Sequence, residues 1–388
     1  MASKNAGVVT AGLALFSMFF GAGDLIWPLI LGGQAGDHNL SALLGLLISG
    51  VSLPLLGLVA MMLFRGDYYA FFGQIGRIPG IILIFIIQAI LGPFGSTPRL
   101  ISLSHATLKP YLPDGISLLT FSACACLVVF FFTCKKSRVV DLLGMLLCPV
   151  LLVALGLLVG VGMYHPPAPE AMNISSQGAF FSGLNVGYNT LDLIASFIFA
   201  PLVLSYFCKG DSDYATPESR RHVFGKMLKA SLIAGGLLAA MYIGLTYVAS
   251  YYTPLLPPHH PEERLGAISV YLLGTKGAFF SCMAVALSCL TTAIPITVIT
   301  ADYIHKNFMK GKGSYYLALM ISLVLAMVVS NLGFMGIASM LAPILQIICP
   351  GLIILSVFNI LYKLYEMQIR RSPVYAAFAL SIAAYFIW

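Results

Sequence analysis

The sequence predicts an all-α, polytopic membrane protein of about eleven transmembrane helices. Three observations carry that prediction. Hydrophobic residues make up 59% of the 388-residue chain and charged residues only 9%, against about a quarter charged in soluble domains. The mean hydropathy is +0.94. Several apolar runs reach the roughly 20 residues that cross a bilayer as helix. Those same runs exclude a β-barrel, whose strands are about ten residues long and alternate in polarity.

The spans read, in order, at 7–31, 41–64, 80–104, 115–134, 139–164, 187–207, 224–250, 277–303, 314–331, 337–362 and 373–388. The first is apolar from Gly7 but interrupted by "FFGAGDLIWPLILGG", which places two glycines, an aspartate and a proline at mid-depth. The second ends before Arg65. The third carries "GPFGSTPR", whose arginine, Arg99, falls inside the span. The fourth and fifth are bounded by the basic cluster Lys135, Lys136 and Arg138. The sixth carries "GYNTLDLIASFIFAP", the eighth "SCLTTAIP". The seventh, ninth, tenth and eleventh are read from their apolar runs, with Lys226 and Lys229 at the start of the seventh. Connecting segments are short, so the chain is one transmembrane domain, 1–388.

The basic residues test this map. The net charge is +7, which in a soluble protein would suggest nucleic acid. Here 17 of the 21 lysines and arginines fall on one side, in loops or at the adjoining span ends. They are Lys4, Arg65, Arg77, Lys135, Lys136, Arg138, Lys209, Arg220, Arg221, Lys226, Lys229, Lys306, Lys310, Lys312, Lys363, Arg370 and Arg371. Three (Lys109, Arg264, Lys276) fall on the other, and Arg99 lies within a span. Such a bias marks the basic side as cytoplasmic. It puts the N-terminus in the cytoplasm and argues against a nucleic-acid partner; the partner is the lipid bilayer. The first span is too long and irregular for a cleaved signal peptide.

The eight cysteines lie in spans or at cytoplasmic edges, with no CxxC spacing, so no structural disulfide is expected. The external loop "YYTPLLPPHHPEERLGA" holds His259 and His260 beside Glu262 and Glu263. Prolines bracket the pair, which reads as a solvated turn rather than a metal site.

Spans 1–5 and 6–10 suggest two copies of a five-helix set: repeat 1 at about 7–164, repeat 2 at about 187–362, and an extra C-terminal helix at 373–388. An odd number of spans per copy inverts the second copy, and transporters built this way break matching helices. Both first members, spans 1 and 6, carry glycine and polar residues at mid-depth, and "GPFGSTPR" and "SCLTTAIP" occupy the two third members.

An ionised side chain at the bilayer centre costs about 2.5–3.5 kcal/mol on insertion scales and is by default functional. Asp24, Asp192 and Arg99 are the ones here. The bland reading is an ion pair that fixes packing. A break at Gly21-Ala22-Gly23 would expose backbone groups that are tolerated only where they line a cavity or are bound. The N–H groups of the resumed helix attract a carboxylate, and the carbonyls ending the first half attract a cation. Pro28 suits the first turn of the resumed helix. The hydroxyls of Ser288, Thr291 and Thr292 fit either a hard-cation site or bonds back to their own helix carbonyls.

"FGAGDLIWP", "GPFGSTPR", "GYNTLDLIASFIF", "SCLTTAI" and "VSNLGFMGI" run in order across almost the whole chain. Together they resemble the branched-chain amino acid:cation symporter family. The resemblance implies the five-plus-five inverted-repeat fold of the bacterial leucine transporter, with helices 1 and 6 broken, in a bacterial cytoplasmic membrane. It implies import of leucine, isoleucine, valine or similar apolar amino acids with sodium, by alternating access, with no enzyme activity and no cofactor beyond the coupling ion. A sodium ion would meet the carbonyls of Ser17, Phe20 and Ser288 and the hydroxyls of Thr291 and Thr292. The substrate would meet the Gly21–Gly23 turn through the N–H groups of Ala22 and Gly23, with its amino group near Asn189, Thr190 and Asp192. Asp24 with Thr190 would serve a second ion. The family usually has asparagine where this chain has Asp24, so a proton is the alternative coupling ion; the runner-up reading is a proton-coupled carrier of another small solute on this fold. Family members usually have twelve spans, one more than are read here.

Overall fold

A computed structural model of the chain describes residues 2–113, 115–133, 147–164, 166–167, 174–208, 216–257, 260–367 and 371–387. The beginning of the fifth predicted span lies outside them, as do Cys134, Lys135, Lys136, Arg138, Asp141, Lys209, His259 and Arg370. All described regular structure is helical. Seven cysteines are free among the described residues.

The first predicted span is two helices, α1 (Ala2–Phe19) and α2 (Ala22–Ala35), separated at Phe20–Gly21. The break is therefore one residue earlier than the glycine pattern suggested. Pro28 also departs from expectation. It lies in the second turn of α2, not the first, where it cannot donate back to the Asp24 carbonyl. The second span is α3 (Asn39–Leu47) and α4 (Leu53–Leu63), joined by a wider π turn over Ile48–Ser52. A short helix, α5 (Tyr68–Phe72), capped by the Asp67 side chain, leads to the third span. That span is broken as well, into α6 (Arg77–Leu91) and α7 (Ser96–Leu108), with Gly92–Gly95 between them.

α8 (Leu118–Thr133) and α9 (Cys148–Tyr164) follow. The sixth span is interrupted at Thr190–Leu191, giving α10 (Ser176–Asn189) and α11 (Asp192–Phe207). α12 (Pro217–Tyr252) begins at a Thr216 cap and runs 36 residues. α13 (Arg264–Tyr303) bends at Gly274, at φ +67°, and then runs unbroken through "SCLTTAIP" with Pro295 inside it. The two third members thus differ: one is broken, its proposed counterpart is not. α14 (Tyr315–Ser330), α15 (Gly333–Tyr365) and α16 (Ser372–Ile387) complete the chain. Among the described residues, six helical stretches, some of them counted across the breaks just named, are long and apolar enough to cross a membrane, and five shorter apolar helices accompany them.

The packing places the broken helices at the centre. α12 runs along both α1 and α2, α10 packs on α3, α11 on α4, and α13 on α7. Large apolar side chains such as Phe131, Val153, Leu157, Phe181 and Leu232 point outward, as a chain solvated by lipid permits. Close helix approach depends on small residues. At the α3–α10 crossing, a Cβ on Gly183 would sit 2.0 Å from the Ala42 carbonyl oxygen, and one on Gly45 would sit 2.1 Å from that of Phe180.

Gly183→Val is expected to abolish a monodisperse purified product or to lower its melting temperature, at a cost of about 1–3 kcal/mol or more from overpacking. Gly156→Val, with open space around the glycine, should leave melting unchanged. Equal behaviour of the two variants in thermal unfolding would refute the close crossing.

Candidate functional site

α1 ends and α2 starts deep in the core, so the break leaves backbone groups without helical partners. Two neighbouring clusters answer them. The first is anionic. The Gly21 N–H donates to the Asp24 carboxylate at 2.8 Å, a carboxylate in the first turn bonding back to the residue before its helix. The other Asp24 oxygen accepts from the Tyr242 hydroxyl of α12. The same hydroxyl lies 2.8 Å from an Asp192 carboxylate oxygen at the start of α11. Asp24 and Asp192 are each 1% exposed and Tyr242 is fully buried. A phenol carries one proton. It serves both acceptors in full only when one carboxyl is itself protonated.

The break in the sixth span faces this cluster. Leu191 holds φ +76°, a left-handed conformation that a leucine adopts only when its surroundings impose it. The Thr190 hydroxyl bonds the Gly187 carbonyl at 2.9 Å, and the Asn189 side-chain amide bonds the Asn185 carbonyl at 3.0 Å. What Asn189 presents is its backbone carbonyl oxygen, which accepts from both terminal nitrogens of Arg99 at 3.2 Å each. Arg99 reaches it from the first turn of α7, with its guanidinium 4.8 Å from the centre of the Phe334 ring on α15. Gly23 is required by the same geometry: a Cβ there would lie 2.9 Å from the Thr190 carbonyl oxygen. Gly21, Ala22, Gly23, Asp24, Arg99, Thr190 and Asp192 all line one cavity of about 20 Å³, room for about one water molecule.

The second cluster is made of neutral oxygens. Thr291 and Thr292 of α13 both donate from their hydroxyls to the Ser17 carbonyl, each at 3.1 Å. Thr291 also approaches the Ser288 carbonyl at 2.8 Å. Ser288 donates to the Phe20 carbonyl at 2.5 Å. All five residues expected around sodium are therefore contiguous and buried. Ser288 engages α1 through its hydroxyl, where only its carbonyl was expected. The donor set is entirely oxygen, which suits a hard cation. Among the described residues no group of three or more His, Cys, Asp or Glu forms a metal cluster, and His260 has no such company.

Every site residue named from the sequence thus falls at one of two adjoining clusters between α1/α2, α10/α11 and α13. Tyr242 was missed. Its only signal was a polar aromatic in an apolar helix, one of 19 tyrosines in the chain.

Comparison with known proteins agrees with this architecture. A family model described as branched-chain amino acid transport protein matches residues 4–386. The branched-chain amino acid permease BrnQ of Bacillus subtilis (strain 168) is 29% identical over 97% of this chain and 86% of its own length. A Staphylococcus saprophyticus protein named for the same carrier class is 30% identical over 96% of this chain and 84% of its own. Among solved structures, Mhp1, a nucleobase-cation-symport-1 family transporter closed around bromovinylhydantoin, aligns at a TM-score of 0.65 and 15% identity. It covers 92% of this chain and 78% of that one. MhsT in complex with L-phenylalanine aligns at 0.62 and 12% identity, covering 98% and 97%. The fold is that of the leucine-transporter-like carriers.

Tyr242→Phe is expected to destabilise the protein by about 1–3 kcal/mol, because two buried carboxyls lose their shared donor. Adding Asp24→Asn should restore part of that loss, with a coupling of about 1 kcal/mol or more between the sites. Thermal unfolding of the single and double variants reads this; strictly additive shifts would show that the hydroxyl and the carboxyl do not act together.

Proposed function

Because the chain belongs to the branched-chain amino acid transport protein family, a family of carriers and not of enzymes, we propose that it imports leucine, isoleucine, valine or similar apolar amino acids by sodium-coupled alternating access. The protein is a multi-pass membrane protein. The 17-to-3 distribution of basic residues supports an N-terminus on the cytoplasmic side, and the family's bacterial members support a bacterial cytoplasmic membrane.

The observation that carries the proposal is the convergence of an oxygen-only cluster and a charged cluster on the two sides of one helix break. Sodium would be held by the carbonyls of Ser17, Phe20 and Ser288 and the hydroxyls of Ser288, Thr291 and Thr292. Those hydroxyls donate to the carbonyls of α1 and would turn their lone pairs to the ion. The substrate would lie at the Gly21–Gly23 turn and the sixth-span break, its ammonium group beside Asp192 with Asn189 and Thr190 at its flank. Two carboxylates and one guanidinium leave one negative charge in the core, which a monovalent cation neutralises and a zwitterion does not disturb. Since ion and substrate adjoin the same break, each raises the affinity of the other, and that reciprocity is the coupling.

A second reading rests on one observation. Tyr242 bridges Asp24 and Asp192, an arrangement that accommodates one proton in place of a metal ion. Proton-coupled transport on the same fold is therefore the alternative, with Asp24 or Asp192 as the group that titrates.

Radiolabelled leucine uptake into proteoliposomes separates the two. An inward sodium gradient is expected to drive uptake and an imposed proton gradient is not; the reverse result would overturn sodium coupling. Thr291→Ala should reduce the sodium stimulation of leucine binding by about tenfold, within the usual range of coupling between sites, and Asp192→Asn should abolish uptake in a protein that still elutes as folded. Wild-type uptake by Asp192→Asn would remove that residue from the site. Asp24→Asn should be tolerated better by a sodium carrier than by a proton carrier.

A further inference from the structure

Arg99 has more hydrogen-bonding capacity than the structure uses. It is 2% exposed, and it alone among the residues lining the central cavity is basic. Its two terminal nitrogens converge on one acceptor, the Asn189 carbonyl oxygen, and its Nε–H is buried without a partner. A guanidinium offers five N–H donors in a planar fork that matches the two oxygens of a carboxylate. One carbonyl oxygen leaves that fork underused.

The N-terminus of α2, the other attraction for an anion, is partly taken. Its Gly21 N–H is bonded to the Asp24 carboxylate, and the Gly23 face is closed by the Thr190 backbone, 2.9 Å from where a Cβ would stand. An amino acid carboxylate arriving there would meet the negative charge of Asp24 with only neutral amides to offset it. Arg99 supplies the missing positive charge in the same cavity.

Resting on the proposal that the substrate is an amino acid, we infer that Arg99 is the residue that recognises the substrate carboxylate. The zwitterion then spans the site: its carboxylate on the Arg99 fork and the α2 amides, its ammonium against Asp192 and Asp24. In the substrate-free arrangement the guanidinium instead caps the carbonyl that ends α10, and the incoming carboxylate takes over that pairing. A purely structural Arg99 would tie α7 to α10 and support every ligand equally. A recognising Arg99 supports only ligands that carry a carboxylate.

The test is equilibrium binding of L-leucine and L-leucinamide, which lacks the negative charge, to the purified full-length protein, its Arg99→Gln variant and its Arg99→Lys variant. Wild type should prefer leucine. Arg99→Gln should weaken leucine by about 30-fold or more, the range for losing a charged hydrogen-bonding partner, and leave leucinamide within about twofold. Arg99→Lys should fall between, keeping the charge but not the fork. Leucine binding by Arg99→Gln at the wild-type level, or equal loss of leucine and leucinamide, would overturn the assignment. If leucinamide is too weak to measure in wild type, or if Arg99→Gln does not fold, Arg99→Lys decides. An intermediate leucine affinity supports recognition; wild-type affinity, or no binding by a folded variant, rejects it. Wild-type protein that binds no branched-chain amino acid would overturn the proposed function, a result read before either variant is examined.

Discussion

The structure depends on how unpaired backbone groups are satisfied inside an apolar slab. A continuous helix satisfies its own N–H and C=O groups; a broken one does not, and lipid offers no replacement. This chain breaks helices beside its buried core at Phe20–Gly21 and at Thr190–Leu191. The stranded groups find named partners. The Ser17 and Phe20 carbonyls are met by Thr291, Thr292 and Ser288, the Gly21 N–H by Asp24, and the Asn189 carbonyl by Arg99. Leu191, held at φ +76°, costs about 1–2 kcal/mol in backbone strain, and the surrounding contacts offset it.

Those partners come from three different helices, and this explains the arrangement around the centre. α13 answers the end of α1, α7 answers the end of α10, and α12 inserts Tyr242 between the two aspartates that open α2 and α11. Each surrounding helix is thus tied to a break through one or a few polar bonds, amid otherwise apolar packing. Under the proposed function, helices held this way would part at modest cost, because the broken hydrogen bonds are local and a bound ion or substrate would replace them. At the glycine crossing of α3 and α10 the polar contact is slight, a Ser49 hydroxyl 3.4 Å from the Gly183 carbonyl. The close contact there is backbone against backbone, which favours movement of that pair as one body.

Much of this was legible in the sequence, because charge and glycine are conspicuous in an apolar run. Asp24, Asp192 and Arg99 stood out by expense alone, and the Gly21–Gly23 pattern marked the first break to within a residue. The hydroxyls of Ser288, Thr291 and Thr292 left a cation site and simple back-bonding equally open; in the structure Thr291 bonds its own helix and α1 together, while Thr292 bonds α1. What escaped was whatever depended on a partner far along the chain. Tyr242 is 218 residues from Asp24, and nothing local distinguishes it from other tyrosines. The pairing of Arg99 with a backbone carbonyl carries no sequence signal at all, since every residue has one. The position of Pro28 was misjudged because α2 starts at Ala22, one residue after the break, so the proline falls a turn deeper. "GPFGSTPR" was read as the counterpart of "SCLTTAIP", but glycines at 92 and 95 end and restart a helix where Pro295 is carried within one.

The two clusters share more than proximity. The carbonyl that Ser288 bonds belongs to Phe20, and the next residue, Gly21, gives its N–H to Asp24. One peptide unit therefore has its C=O directed at the neutral oxygen cluster and its N–H at the charged one. A cation drawing on the Phe20 oxygen would polarise that peptide and sharpen the partial positive charge on the Gly21 N–H. The same N–H steadies Asp24, which shares Tyr242 with Asp192 across the cavity. Under the proposed function, occupancy on one side would be felt on the other through a single amide and one phenol. Linkage requires the influence to be mutual: whatever a bound cation does for the charged cluster, a ligand there does for the cation. Under the proposed function, this shared peptide is the shortest physical path by which an ion gradient becomes a substrate gradient.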